Sequence, residues 1–248
     1  MTISLIIPCY NEEVNIQKGV LDKIGNYISD RVEFIEVLVV DDGSSDKSRE
    51  IIKEMYVSRF PKFRLIEKAH QGKALAVMKG IEEAKGEYII FTDIDLATPL
   101  EASVQMIDKF RGGQEIVIGS RARTRRGAPI TRKLQSTGFI MLRDAFIGLN
   151  GIVDTQCGFK GFKTQAARSI IKKLKVFTHD RVAGGSSVSA GFDLEFLFVA
   201  QKMGFSVIEV PVEWRHAETK NVHFIKDSIE TIKDVLKIKI NDLKGLYA

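Results

Sequence analysis

EYIIFTDIDLATP, residues 87–99, runs from an apolar stretch into two carboxylates on alternate positions and stops at a proline. Tyr88 to Phe91 has the β-branched and aromatic content of a short buried strand. On extended chain, Asp93 and Asp95 project to the same side, about 6 to 7 Å apart. Like charges that close repel. The pair therefore needs a cation beside it, donors around it, or solvation in an acidic loop.

The pattern repeats on both sides of this stretch. Ile3 to Ile7, Phe34 to Val40, Phe63 to Ile66 and Ile116 to Ile118 are apolar runs of strand length. Between them, Glu12 to Ile28, Asp46 to Tyr56, Gly72 to Ala84 and Pro99 to Phe110 read as amphipathic helices. Strands separated by helices predict an α/β fold, a single Rossmann-like domain with a mostly parallel central sheet and helices on both faces. Further on, Gly158 to Lys163 and Ser206 to Val210 read as strands, and Gln165 to Leu174 and Phe192 to Met203 as helices. Leu134 to Val153 suits an amphipathic helix or helix pair. In HFIKDSIETIKDVLKIKIND (223–242), Ile225, Ile229, Ile232 and Leu236 fall at helical spacing with lysines interleaved.

The totals bound the function. The chain has 248 residues, 44% hydrophobic and 28% charged, enough for one sizeable core with appendages. Its 37 basic and 32 acidic residues leave a net charge of +5. That excess suits phosphorylated substrates or an anionic membrane surface, and no nucleic-acid partner is expected from it. Cys9 and Cys157 form neither a disulfide framework nor a metal-ligand spacing, which fits a reducing interior. The opening MTISLIIPCYNEE is too short in its apolar part for a signal peptide, and no run approaches the ~18 apolar residues of a membrane span.

Mostly parallel sheets place ligands beyond the C-terminal ends of their strands. The residues there are Pro8-Cys-Tyr-Asn-Glu-Glu13, Asp41-Asp-Gly-Ser-Ser-Asp46, His70-Gln-Gly-Lys73, Asp93-Ile-Asp95 and Gly119-Ser-Arg121. Neither a glycine-rich dinucleotide turn nor a G-x-x-x-x-G-K-[ST] loop is among them. Tyr10 offers a face for stacking on a base, although Asn11 also reads as a plain helix N-cap. Ser44 or Ser45 can likewise cap the helix that follows. Asp41 can accept from a base N–H or a ribose hydroxyl, and Lys73 can meet a phosphate at a positive helix end.

PCYNEE, VVDDGSSD, GKA and D-x-D, in this order and each after a strand, resemble the inverting, nucleotide-sugar-dependent glycosyltransferases of family two. DTQCGFKGF (154–162), FDLEFLFVAQKMGF (192–205), VIEVPVEW (207–214) and the SIETIKDVLKIKI tail are similar to the dolichyl-phosphate β-glucosyltransferase branch and its bacterial polyprenyl-phosphate relatives. The resemblance implies the glycosyltransferase A type of fold. It implies that Asp95 most directly, with Asp93, holds Mg²⁺ or Mn²⁺ on the donor diphosphate, assisted by Lys73. It also implies that Pro8, Tyr10, Glu12, Asp41 and Asp42 line the base and ribose pocket. A divalent ion there would offset the charge that builds on a departing nucleoside diphosphate.

The acceptor implied is a lipid phosphate, whose second pKa near 6 leaves it largely dianionic at neutral pH. Such a nucleophile needs aim more than a base, and arginine is suited to gripping it. The resemblance assigns this to Arg121 first and Arg132 second, with Arg125, Arg126 and Lys133 as weaker candidates in the basic loop 122–133. Asp193 falls where soluble members carry a catalytic carboxylate, and here it acts as base, orients the acceptor, or caps a helix. Asp154 and Gln156 shape the sugar or acceptor pocket. Two departures from the branch are expected: no N-terminal membrane anchor is read in these residues, and RVAGGSSVSAG (181–191) stands where the branch has an Arg-Trp pair. Of His179, His216 and His223, only His216 is placed to be a third metal ligand.

The expected protein is thus a metal-dependent inverting hexosyltransferase that moves glucose from UDP-glucose to a polyprenyl phosphate. Its expected station is peripheral, at the cytoplasmic membrane face. The expected organisation is a transferase domain over 1–215, divided near 120 into donor and acceptor halves, with an amphipathic C-terminal helix over 216–248. The alternatives are a soluble transferase acting on a saccharide hydroxyl, for which Asp193 must be the base, and a non-catalytic nucleotide-sugar sensor.

Overall fold

The strands β1 (Ile3–Cys9), β2 (Phe34–Asp41), β3 (Phe63–Glu67) and β4 (Tyr88–Thr92) pair in parallel in the order β3-β2-β1-β4. The sheet continues through β6 (Phe159–Lys163), β5 (Ile116–Ser120) and β7 (Val207–Pro211). This computed structural model describes residues 1–121, 143, 144, 146–149, 151–178, 190–215 and 224–247. Among the described strands only β6 runs antiparallel to its neighbours. The C-terminal ends of the other six therefore meet at one rim, and so does the start of β6. That reversal brings Asp154 to Gly158 to the same edge as the D-x-D segment.

Alternation along each strand fills two cores. Ile6, Leu38, Ile89 and Phe91 face one layer, while Leu5, Ile7, Val37 and Ile90 face the other. The first layer carries α4 (Lys73–Glu83), α6 (Thr164–Lys173), α7 (Ala190–Lys202) and α8 (Phe224–Leu243). The second carries α1 (Glu13–Gln17), α2 (Val20–Ser29), α3 (Ser48–Ile51) and α5 (Ser103–Arg111). A sheet covered on both faces explains why its strands are continuous apolar runs. Helix α8 joins through Val235 and Ile238, and Tyr247 beyond it meets Phe198 edge-on.

Four local expectations are corrected. The single helix expected over Glu12 to Ile28 is two, broken at Gly19, whose φ of 75° no helix accommodates. The helix expected from Asp46 begins at Ser48 and loosens into a π-helical turn over Ile52–Val57, and the one expected at Pro99 begins with a 3-10 turn over Leu100–Ala102. Asn11 does not cap α1. It has a φ of 53°, and its Oδ1 accepts from the N–H groups of Ser45 and Asp46 across the rim. Of the segment Leu134 to Val153, the described part contains a buried Arg143, which donates to the carbonyls of Ile152 and Val153 and pairs with Asp144.

Candidate active site

The loops after β1 and β2 are stitched together. The N–H groups of Asn11, Glu12 and Glu13 donate to Ser44 Oγ, Ser48 Oγ and Asp46 Oδ2. The serines expected to cap helices therefore serve this seam. Pro8 is buried at its base, and Glu12 accepts from Asn15. Asp41 is fully buried, accepting from Ser44 N–H and from Arg49 Nε at 3.0 Å. Asp42 points the other way and organises the approach to α4. It accepts from Gln71 N–H at 3.0 Å and Gly72 N–H at 2.7 Å, and pairs with Lys68. His70 lies 2.8 Å from Asp42 and stacks on Tyr10 with ring centroids 4.0 Å apart. An aromatic platform thus flanks a pair of buried acids.

Next to it lie the D-x-D carboxylates. Lys73, the first residue of α4, reaches Asp93 Oδ1 at 2.5 Å. Burial lowers the pKa of Lys73, but Asp93, Asp193 and Asp95 outweigh it and hold the ammonium above its ordinary value. Gly158 packs directly on the Asp93 carboxylate: a Cβ there would lie 2.1 Å from Oδ2. Asp95 Oδ1 accepts from Ala97 N–H at 3.0 Å. Burial first and the charge of Asp93 second push the Asp95 carboxyl up, against the Ala97 bond and Lys73.

Asp193, in the first turn of α7, completes the cluster. It forms a 2.8 Å ion pair with Lys160 Nζ, which also donates to the Cys157 carbonyl at 2.5 Å. Lys160 is buried in β6, between Phe91 of β4 and Ile118 of β5. Beyond it, Arg121 grips Asp154 through two parallel bonds of 2.8 Å, with Trp214 5.9 Å from the guanidinium. Burial disfavours the Arg121 charge, yet Asp154 more than restores it. Glu209 accepts from the N–H groups of Val153 and Asp154, and Gln156 N–H donates to Asp154.

The rim therefore brings together Pro8, Tyr10, Glu12, Asp41, Asp42, Lys73, Asp93, Asp95, Arg121, Gln156 and Asp193. Arg132, expected as a second acceptor arginine, lies outside the described residues, as do Arg125, Arg126, Lys133, His179, His216, His223 and all but the end of the 181–191 stretch. Sequence reading missed Lys160, Glu209, Arg49 and Lys68. Lys160 carried a usable signal, because a charge inside an apolar strand must find a partner once buried.

A family model for "Glycosyl transferase family 2" matches residues 4–171. The chain belongs to this family. The transferase is 33% identical over 259 residues to dolichyl-phosphate beta-glucosyltransferase ALG5A of Trichomonas vaginalis, covering 99% of this chain and 75% of the relative. It is 30% identical to the Homo sapiens dolichyl-phosphate beta-glucosyltransferase, covering 99% and 77%. In fold it is similar to glucosyl-3-phosphoglycerate synthase from Mycobacterium tuberculosis, solved with Mn²⁺, UDP and phosphoglyceric acid. There the TM-score is 0.65 at 18% identity, with 96% of this chain and 78% of that one covered. Mannosyl-3-phosphoglycerate synthase from Rubrobacter xylanophilus gives a TM-score of 0.66 at 16% identity, covering 99% and 75%. The transferase has the glycosyltransferase A type of fold expected from its motifs.

The D-x-D segment of the transferase fits a hard divalent cation. Asp93 and Asp95 supply oxygen donors, and the second oxygen of Asp95 takes no hydrogen bond from a described residue. No three His, Cys, Asp or Glu side chains gather as a ligand set among the described residues. Two carboxylates alone would leave most of an octahedral shell open, and the rest of it would have to be filled by oxygens from a bound ligand or water.

Proposed function

We propose that this transferase moves glucose from UDP-glucose, with inversion, onto a polyprenyl phosphate at the cytoplasmic face of a membrane. The curated relatives supply the acceptor class by name, and one observation at the site carries the reading. Asp193, the carboxylate that a hydroxyl acceptor would need as its base, is tied to the buried Lys160. A phosphate dianion needs no base, so an acid engaged in this way is compatible with a phosphate acceptor and costly for a hydroxyl one.

The donor side follows from charge. Tyr10, Glu12, Asp41 and Asp42 receive the base and ribose, and Lys73 at the start of α4 faces the diphosphate. Mg²⁺ or Mn²⁺ held by Asp93 and Asp95 would act as a Lewis acid toward the departing nucleoside diphosphate. Arg121, held rigid by Asp154, aims the acceptor phosphate at the anomeric carbon, with Arg132 as its second grip. Gln156 and Asp193 shape the space between.

The test is direct. Pure protein is incubated with Mn²⁺, a panel of nucleotide sugars and a short polyprenyl phosphate, and labelled sugar is sought in the organic phase. Transfer from UDP-glucose, abolished by chelation, is expected. Failure with every donor sinks the lipid acceptor. Transfer to a saccharide hydroxyl that Asp193→Asn abolishes would establish the other acceptor class.

A further inference from the structure

Helix α8 has two apolar faces, and only one of them packs on the described residues. Thr231, Asp234, Val235 and Ile238 are buried against the domain. On the opposite side Ile229, Ile232, Leu236, Ile240 and Leu243 are 41% to 76% exposed. At 100° per residue these five fall within an arc of about 80°. Lys233, Lys237 and Lys244 are exposed along one margin of that arc. The acids of residues 229–247 avoid it: Asp234 is buried, Asp242 pairs with Lys202, and Glu230 sits half-buried beyond the lysines.

Such a face combines an apolar stripe, which water disfavours, with a cationic margin whose lysines form no ion pair with a described residue. A second copy of the chain packed antiparallel on this face would set lysine against lysine across the contact. A lipid surface with anionic headgroups instead satisfies both parts, taking the stripe into the headgroup boundary and the lysines against phosphate. No described helix is long and apolar enough to cross a membrane, so the contact is one of lying on the surface.

We propose that the outward face of α8 seats the protein on an anionic membrane surface. Its placement matters to the site. Gly191 of α7 packs so closely on Asp234 of α8 that a Cβ would lie 2.5 Å from the carboxylate, and Asp193 follows two residues later. The seated helix therefore abuts the turn that carries the acceptor-side acid. The inference deepens the lipid-acceptor reading and rests on it for the identity of the acceptor alone.

The experiment uses full-length protein and vesicles free of any polyprenyl phosphate, either phosphatidylcholine alone or phosphatidylcholine and phosphatidylglycerol in a ratio of about two to one. Co-sedimentation with the mixed vesicles is expected, weakening as salt rises. Leu236→Gln with Ile240→Gln should lower partitioning about tenfold or more. Lys233→Gln, Lys237→Gln and Lys244→Gln together should remove the preference for phosphatidylglycerol. Circular dichroism and transfer to a short acceptor in detergent should match wild type for both variants.

Unchanged partitioning in either variant, or equal wild-type binding to neutral and anionic vesicles, overturns the proposal. So does a wild-type dimer in gel filtration that Leu236→Gln with Ile240→Gln converts to monomer. Vesicle binding as expected, with no transfer by wild type in detergent, supports this surface and overturns the acceptor reading.

Discussion

The two ends of the sheet treat buried charge in opposite ways. At the N-terminal end, Glu36 accepts from Ser4 Oγ and Lys85 N–H, each at 2.6 Å, and from Arg64 at 2.7 Å. Ser4 Oγ in turn accepts from Gly86 N–H at 2.8 Å. One carboxylate is saturated by donors, and the network closes. At the C-terminal rim, Asp93, Asp95 and Asp193 share Lys73 and Lys160. Three negative charges face two positive ones, and the network stays open.

The pKa directions follow that difference. Burial raises Glu36, but Ser4, the Lys85 N–H and Arg64 outweigh it and bring it below its ordinary value. At Asp95 burial wins. A network that serves folding finds its partners within the chain, while one left with excess charge is completed by something that binds. On this argument, damage at the rim should spare stability and damage at the base should spare catalysis.

The strongest way to break the contrast is Gly158→Ala. Its Cβ would lie 2.1 Å from Asp93 Oδ2, so the carboxylate must move. Glucose transfer should fall about 100-fold, because misplacement of a reacting group by about 1 Å costs that much. The melting temperature should shift by less than about 3 °C. Activity within about threefold of wild type would mean that Asp93 is not held to its place by this contact.

Lys160 tests whether the open network acts as a unit. Lys160→Met removes the partner of Asp193 and should lower turnover about tenfold. Asp193→Asn should do the same, and the double variant should be no worse than either single one, since both disable one pair. Losses that multiply in the double variant would show two independent roles. Steady-state kinetics on the three proteins, with UDP binding as a check on the donor side, separates these outcomes.

The strands and the order of helices were legible because apolar periodicity is a local property and the sheet uses it as written. Rim loops were legible as a set but not in their partners. Asn11 and Ser44 were read against their chain neighbours as caps, whereas Asn11 is bonded to residues 33 to 35 positions away. Gly19 breaks a helix whose polar and apolar spacing continues through it, so spacing alone passes over the break. Asp93, Asp95, Lys73 and Arg121 belong to motifs that follow strands, so their place at the rim was legible. Lys160 escaped because its meaning depends on Asp193, which lies 33 positions further along and joins it only when α7 folds over β6.

The smallest expected effect lies at the closed end. Glu36→Gln keeps the shape and one acceptor but loses the charge that answers Arg64, and should cost about 1 kcal/mol. For a chain of 248 residues that is a fall of about 2 to 4 °C in melting temperature. The sign of its pH dependence is fixed. Because folding depresses the Glu36 pKa, its contribution is fully present above the ordinary value of 4.5 and is lost as the pH falls through the folded value. Glutamine is uncharged throughout, so the gap between wild type and variant should be constant near neutrality and close in acid below 4.5. Glucose transfer by the variant should stay within about twofold of wild type, as Glu36 touches nothing at the rim. A gap that persists unchanged into acid would mean that shape, and not charge, closes this end of the sheet.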